Sequence, residues 1–130
     1  MTTTINASPT NGIVQTADGS GVMKLQSNGV TTNALAWVNY KGTSTRVINA
    51  SYNVSSVTYV GTGNYTLNFT TTMADANYAA VGTVTTALGT GGQFNGQSGQ
   101  TTSAFTFFTT NYSGAAYADA ALVSVVIFGN

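Results

Sequence analysis

The sequence predicts an all-β protein, an antiparallel β-sandwich of jelly-roll-like kind preceded by an extended N-terminal arm. Three observations lead there. Tyr65, Leu67 and Phe69 alternate with Thr66, Asn68 and Thr70, the period of two that marks a strand with one buried face. Thr, Ser, Asn and Gly fill close to half of the 130 residues, Glu is absent and Lys plus Arg number only 3, so good helix formers are scarce. Turn signals recur at short intervals: Asp18-Gly19, Asn28-Gly29, Gly61-Thr62-Gly63-Asn64 and Asn111-Tyr112-Ser113-Gly114.

Taken in order, Thr2 to Asn11 has little periodicity and ends at Ser8-Pro9-Thr10-Asn11-Gly12, an extended arm running into a turn. Short strands are expected at Ile13–Thr16 and Val22–Gln26, with Ser27-Asn28-Gly29 closing that unit. Residues 1–30 thus form arm and connector strands, and 31–130 the sandwich domain. A strand over Leu35–Tyr40 puts Leu35 and Trp37 on one face and Val38 and Tyr40 on the other. Lys41–Thr45 reads as a loop into a strand over Arg46–Tyr52. Val57–Val60 and Tyr65–Thr70 flank a glycine loop and form a hairpin. Met73–Asn77 is one helical turn or a tight loop before a strand at Tyr78–Thr85. Gly89–Gly99, rich in Gly and Gln, reads as a long adaptable loop. Strands follow at Ser103–Thr110 and Leu122–Phe128, the latter apolar enough to be covered on both faces. No internal repeat is visible.

Composition narrows function by removing chemistry. The chain has no His and no Cys, and its charged residues are Asp18, Lys24, Lys41, Arg46, Asp75 and Asp119. General acid–base catalysis, nucleophilic catalysis and transition-metal sites draw on residue types that are missing or scattered here. No enzyme, cofactor or metal is expected. The three Asp residues suit turn and cap roles, and Lys41 with Arg46 a solvated or subunit-pairing edge. Gly61-Thr62-Gly63 and Gly89–Gly92 lack the Lys-Ser/Thr and the helix of a phosphate loop. The several Asn-x-Ser/Thr triplets are what so much Asn, Ser and Thr produces by chance. With net charge zero there is no electrostatic footprint for nucleic acid or an anionic membrane. Charged residues make up 5% of the chain, against about 25% in ordinary domains. Either hydroxyls and amides hydrate the surface, or much of it is buried against copies of the chain or a larger scaffold. The tyrosines serve a core, an interface, or stacking on sugar rings.

One resemblance adds to this. Ala36-Trp37-Val38-Asn39-Tyr40-Lys41-Gly42-Thr43, Ile48–Val57, Gly61–Thr71 and Met73–Tyr78 follow one another in an order that resembles a β-rich domain of tailed-bacteriophage virion proteins. Such domains are met near the C-terminus of tail fibres of cyanophages and other marine phages. Gly12–Gly21 with Leu25–Gly29 looks like the connector before them, and Val123–Phe128 fits the same pattern; Thr86–Gln100 matches least.

The resemblance implies a non-enzymatic virion protein, made in the host cytoplasm and carried on the outside of capsid or tail. A chain consisting of arm plus domain suits a capsid decoration (cement) protein that stabilises the shell. The alternative it implies is a tail-fibre tip contacting a host surface glycan through Gly89–Gln100. The expected partners are two further copies in a homotrimer and the major capsid protein. The expected assembly residues are Thr2, Thr3, Thr4, Ile5, Asn6 and Pro9 of the arm, with Trp37, Tyr40 and Phe94 as interface aromatics.

Overall fold

The computed structural model describes residues 25–27, 30–43, 45–86 and 91–129. The arm, with Thr2–Asn11, and the strand expected at Ile13–Thr16 lie outside the described residues. The elements in chain order are β1 (Gln26–Ser27), β2 (Val30–Thr31), β3 (Ala36–Lys41), β4 (Val47–Tyr52), β5 (Val54–Gly61), β6 (Asn64–Phe69), β7 (Ala79–Thr85), β8 (Gln93–Gln100), β9 (Ala104–Thr110) and β10 (Leu122–Phe128). The described residues contain no helix; Met73–Asn77 is a loop, tightened where the Asn77 amide donates to Asp75 Oδ1 at 2.6 Å.

β1 and β2 form a small antiparallel pair. The other eight strands make two four-stranded antiparallel sheets, ordered β4-β3-β10-β7 and β5-β6-β9-β8. Their inner faces meet in one core. Val38 and Tyr40 of β3 and Val123, Val125 and Ile127 of β10 face Tyr65 and Leu67 of β6 and Phe105 and Phe107 of β9. Each such side chain, once buried, contributes about 1.5–3 kcal/mol. The alternation read in Tyr65-Leu67-Phe69 is the burial pattern of β6, where every second residue is buried.

Two devices turn the chain. Asn53 carries it from β4 in the first sheet to β5 in the second with a left-handed backbone, φ 53°, which Asn tolerates better than most side chains. Its amide Nδ2 donates to the carbonyls of Leu35 and Thr71, each at 3.1 Å, and its Oδ1 accepts from the Thr71 amide at 2.7 Å. Gly63, φ 64°, closes the β5–β6 hairpin, and a Cβ there would run into the Thr109 carbonyl.

Two expectations are corrected. The stretch read as a loop over Gly89–Gly99 is in large part strand β8, the edge of the second sheet. It pairs with β9 through two register shifts, between Asn95 and Gln97 and between Gln97 and Gly99, and the first of them takes up Gly96. β10 has the expected boundaries but is covered on one face only, because Val123, Val125 and Ile127 point inward while Leu122 and Phe128 face solvent.

Candidate functional site

The outer face of the first sheet is built by the same alternation that builds the core. Burying Ala36, Val38 and Tyr40 sends Trp37, Asn39 and Lys41 outward. Register then places Tyr52, Trp37, Val126 and Val81 in one row across all four strands, with Phe128 and Ala79 paired beside it. Paired residues on one face stand about 5 Å apart, so the row is a continuous apolar stripe. Trp37 is 37% exposed, Phe128 40% and Val81 60%. Next to it runs a polar row in which Asn49 Nδ2 donates to Asn39 Oδ1 and Asn39 Nδ2 to Ser124 Oγ, both at 2.8 Å. Lys41 is the one charged side chain on the four strands of this sheet.

Of the three aromatics expected at an interface, the structure puts only Trp37 on the surface. Tyr40 is corrected to a core residue: it is fully buried, and its ring meets Tyr65 edge-on at 5.4 Å. Phe94 also turns inward, 5.0 Å from the Phe107 ring and seated over Gly82, where a Cβ would strike it. The six arm residues Thr2, Thr3, Thr4, Ile5, Asn6 and Pro9 lie outside the described residues.

A second assembly of side chains went unseen in the sequence. Asp119 Oδ1 accepts from the Gly63 amide at 2.8 Å and from the Tyr65 hydroxyl at 2.9 Å. Its Oδ2 lies 3.6 Å from Arg46 and accepts from the Tyr59 hydroxyl at 3.4 Å. The Arg46 guanidinium stacks over the Tyr59 ring, 3.4 Å from its centroid, a cation–π contact. Arg46, expected on a solvated edge, is thus part of a charge-neutral clamp joining the β5–β6 hairpin to the segment before β10. Asp75 does take the turn role its isolation suggested, while Asp119 reaches instead to the distant Gly63 amide. Beside the clamp, a cavity of about 400 Å³ opens between β4 and β5, walled by Val47, Ile48 and Val57 with Ser55 and Ser56.

Burial pushes the Tyr40 and Tyr65 hydroxyls above the usual phenol range, Tyr65 further through its hydrogen bond to Asp119. Burial raises Tyr78 as well. The fold therefore holds these phenols neutral while the unfolded chain ionises them near pH 10. Their contribution is complete below that pH and is lost above it. Melting temperature is expected to fall as pH rises past about 10, with the phenolate absorbance of these three tyrosines near 295 nm appearing only on unfolding. Full ionisation of these phenols in the folded protein would contradict it.

Among the described residues no three His, Cys, Asp or Glu side chains gather as a metal site. No helix of the described residues is long and apolar enough to cross a membrane. Comparison with known proteins returns no matching family model, curated protein or solved structure. What the arrangement offers is contact surface: an apolar stripe on one face and, on the other, an uncharged field of hydroxyls and amides.

Proposed function

We propose that this chain is a non-enzymatic structural protein of a tailed-phage virion, a capsid decoration protein that docks through the outer face of its first sheet. The observation that carries the docking is the Trp37–Val126–Val81–Phe128 surface, apolar and half-exposed on a sheet with a single charge. A stripe of this kind fits a partner that excludes water from it. The sequence resemblance over Ala36–Tyr78 supports the virion as the setting, with the major capsid protein as partner. Self-association, for which a homotrimer is the form proposed, is supported by the edge strands β4 and β5, whose residues include no proline and no charge to blunt strand pairing.

Quantitative mass spectrometry of purified virions tests the assignment. Copies on the scale of the capsid subunits are expected; a handful per particle would overturn decoration. At residue level, Trp37→Ser should lower unfolding free energy by only about 1 kcal/mol, leaving the protein folded. It should weaken binding to capsids by about 30-fold, the scale of an interface hot spot. Unchanged occupancy of the Ser variant on capsids would exclude this face as the docking surface.

A tail-fibre tip contacting host glycan is the second reading. Its support is the pair of exposed tyrosines, Tyr112 and Tyr117, beside the outer face of the second sheet.

A further inference from the structure

The outer face of the second sheet differs from that of the first in every respect that matters for a ligand. None of its four strands carries a charged residue. Register aligns Thr58, Thr66 and Thr106 in a row, with Ser56, Asn68 and Ala104 in the next. These side chains fix one another: Thr66 and Thr106 hydroxyls share a hydrogen bond of 2.8 Å, and Asn68 Nδ2 donates to Ser56 Oγ at 3.0 Å and Thr58 Oγ1 at 2.9 Å. The result is a rigid, neutral lattice of donors and acceptors.

At one end of this lattice stands an aromatic step. Phe108 points outward from β9, and Tyr117 stacks on it with ring centroids 5.1 Å apart and planes 24° apart. Tyr117 pairs through its backbone with Thr110, extending the second sheet by one residue, yet it remains 60% exposed with one ring face covered. The other face is open. Tyr112, 74% exposed, projects from the same 111–117 segment. That segment is tied down: Gln93 Nε2 donates to the Tyr112 carbonyl at 3.2 Å, and Asn111 Oδ1 accepts from the Ala115 amide at 3.1 Å and the Ser113 hydroxyl at 2.9 Å. Asn64 lies directly across from Phe108.

We infer that the Tyr117–Phe108 step, with Tyr112 and the adjoining hydroxyl and amide rows, is a binding site for a neutral saccharide. A pyranose ring offers a face of C–H bonds and a rim of hydroxyls. It is matched by an open aromatic plane next to fixed uncharged donors and acceptors. Nucleic acid would use the same stacking but requires cations along its backbone, and these four strands supply none. A protein partner of the kind that suits Trp37 would want a contiguous apolar patch, which is found on the opposite sheet instead. Because the Tyr117 ring and the hydroxyls are already held in place, little ordering opposes binding. The inference does not rest on the virion assignment, since the two sites occupy opposite faces of the sandwich.

The test is saturation-transfer NMR on the full chain with maltohexaose, cellohexaose, mannohexaose and chitohexaose at millimolar concentration, followed by titration. At least one should receive saturation from aromatic protons onto its ring C–H groups. Tyr117→Ala should weaken that binding about tenfold, Tyr117→Phe should retain it, and raised salt should leave it unchanged. Trp37→Ser, on the other face, should bind as wild type does. Absence of transfer to all four sugars would overturn the site. So would binding that survives Tyr117→Ala, or that disappears in Trp37→Ser while Tyr117→Ala retains it.

Discussion

Phe107→Ala is expected to cost about 4 kcal/mol of unfolding free energy, the upper range for emptying an aromatic site in a core. Phe107 is fully buried on β9, the strand between β6 and β8. Its ring lies 5.0 Å from Phe94, 5.7 Å from Phe105 and 5.7 Å from Tyr65, so one truncation removes a shared partner from three aromatics. Those neighbours sit on three different strands and cannot all collapse into the void. A domain of this size has about 5–15 kcal/mol in total, so the variant should be near the limit of folding. Urea denaturation measures it directly. A loss below about 1.5 kcal/mol would mean that the inter-sheet core relaxes far more freely than its packing implies.

Asp119→Ala is expected to cost about 3 kcal/mol, mostly through the two short hydrogen bonds to the carboxylate. The Gly63 amide loses its side-chain acceptor at the tip of the β5–β6 hairpin, and the Tyr65 hydroxyl is left to donate to the Gly42 carbonyl, at 3.1 Å. The Arg46 pair adds less, since both partners are about a quarter exposed and solvent screens them. Asp119→Asn preserves shape and one acceptor and should recover about half of the loss. If Ala cost less than about 1 kcal/mol, the cluster would be a surface decoration of the fold rather than its clamp.

The contrast between what could and could not be read from the chain has physical causes. β6 was legible because its two faces differ in polarity at every step, as were the boundaries of β10. Which residues of Leu35–Tyr40 point inward was not, because apolar side chains occupy both faces. The choice is made by Ala36 and Tyr40 finding space under the second sheet while the larger Trp37 does not. β8 was missed because Phe94 is its only large apolar residue, and its strand character comes from pairing with β9 across two bulges. The outward side of β10 was misread because Val126 and Phe128 belong to a surface stripe that composition alone cannot separate from a core. The clamp was invisible for a different reason. Arg46, Tyr59, Gly63, Tyr65 and Asp119 share no motif, and only topology brings them together. Tyr117 on Phe108 is likewise a product of the chain returning beside β9.

The strand order has a consequence for how this molecule comes into being. β5, β6, β8 and β9 are joined into a sheet whose strand pairings all lie before residue 111, and two of its three pairings connect neighbours in sequence. The first sheet has no such independence. β3 and β7 touch only through β10, so Val123–Ile127 must slot between strands synthesised long before it. A chain emerging from the ribosome can therefore assemble half of its sandwich while the edges of β3 and β7 wait open. Closure of that gap by a late, distant strand is a slow search, of the kind that places β-sandwiches in the milliseconds-to-seconds class of folders. Until it happens, the apolar stripe around Trp37 lacks the central strand that makes it a surface at all. The docking proposed for that face would thus wait on completion of the fold.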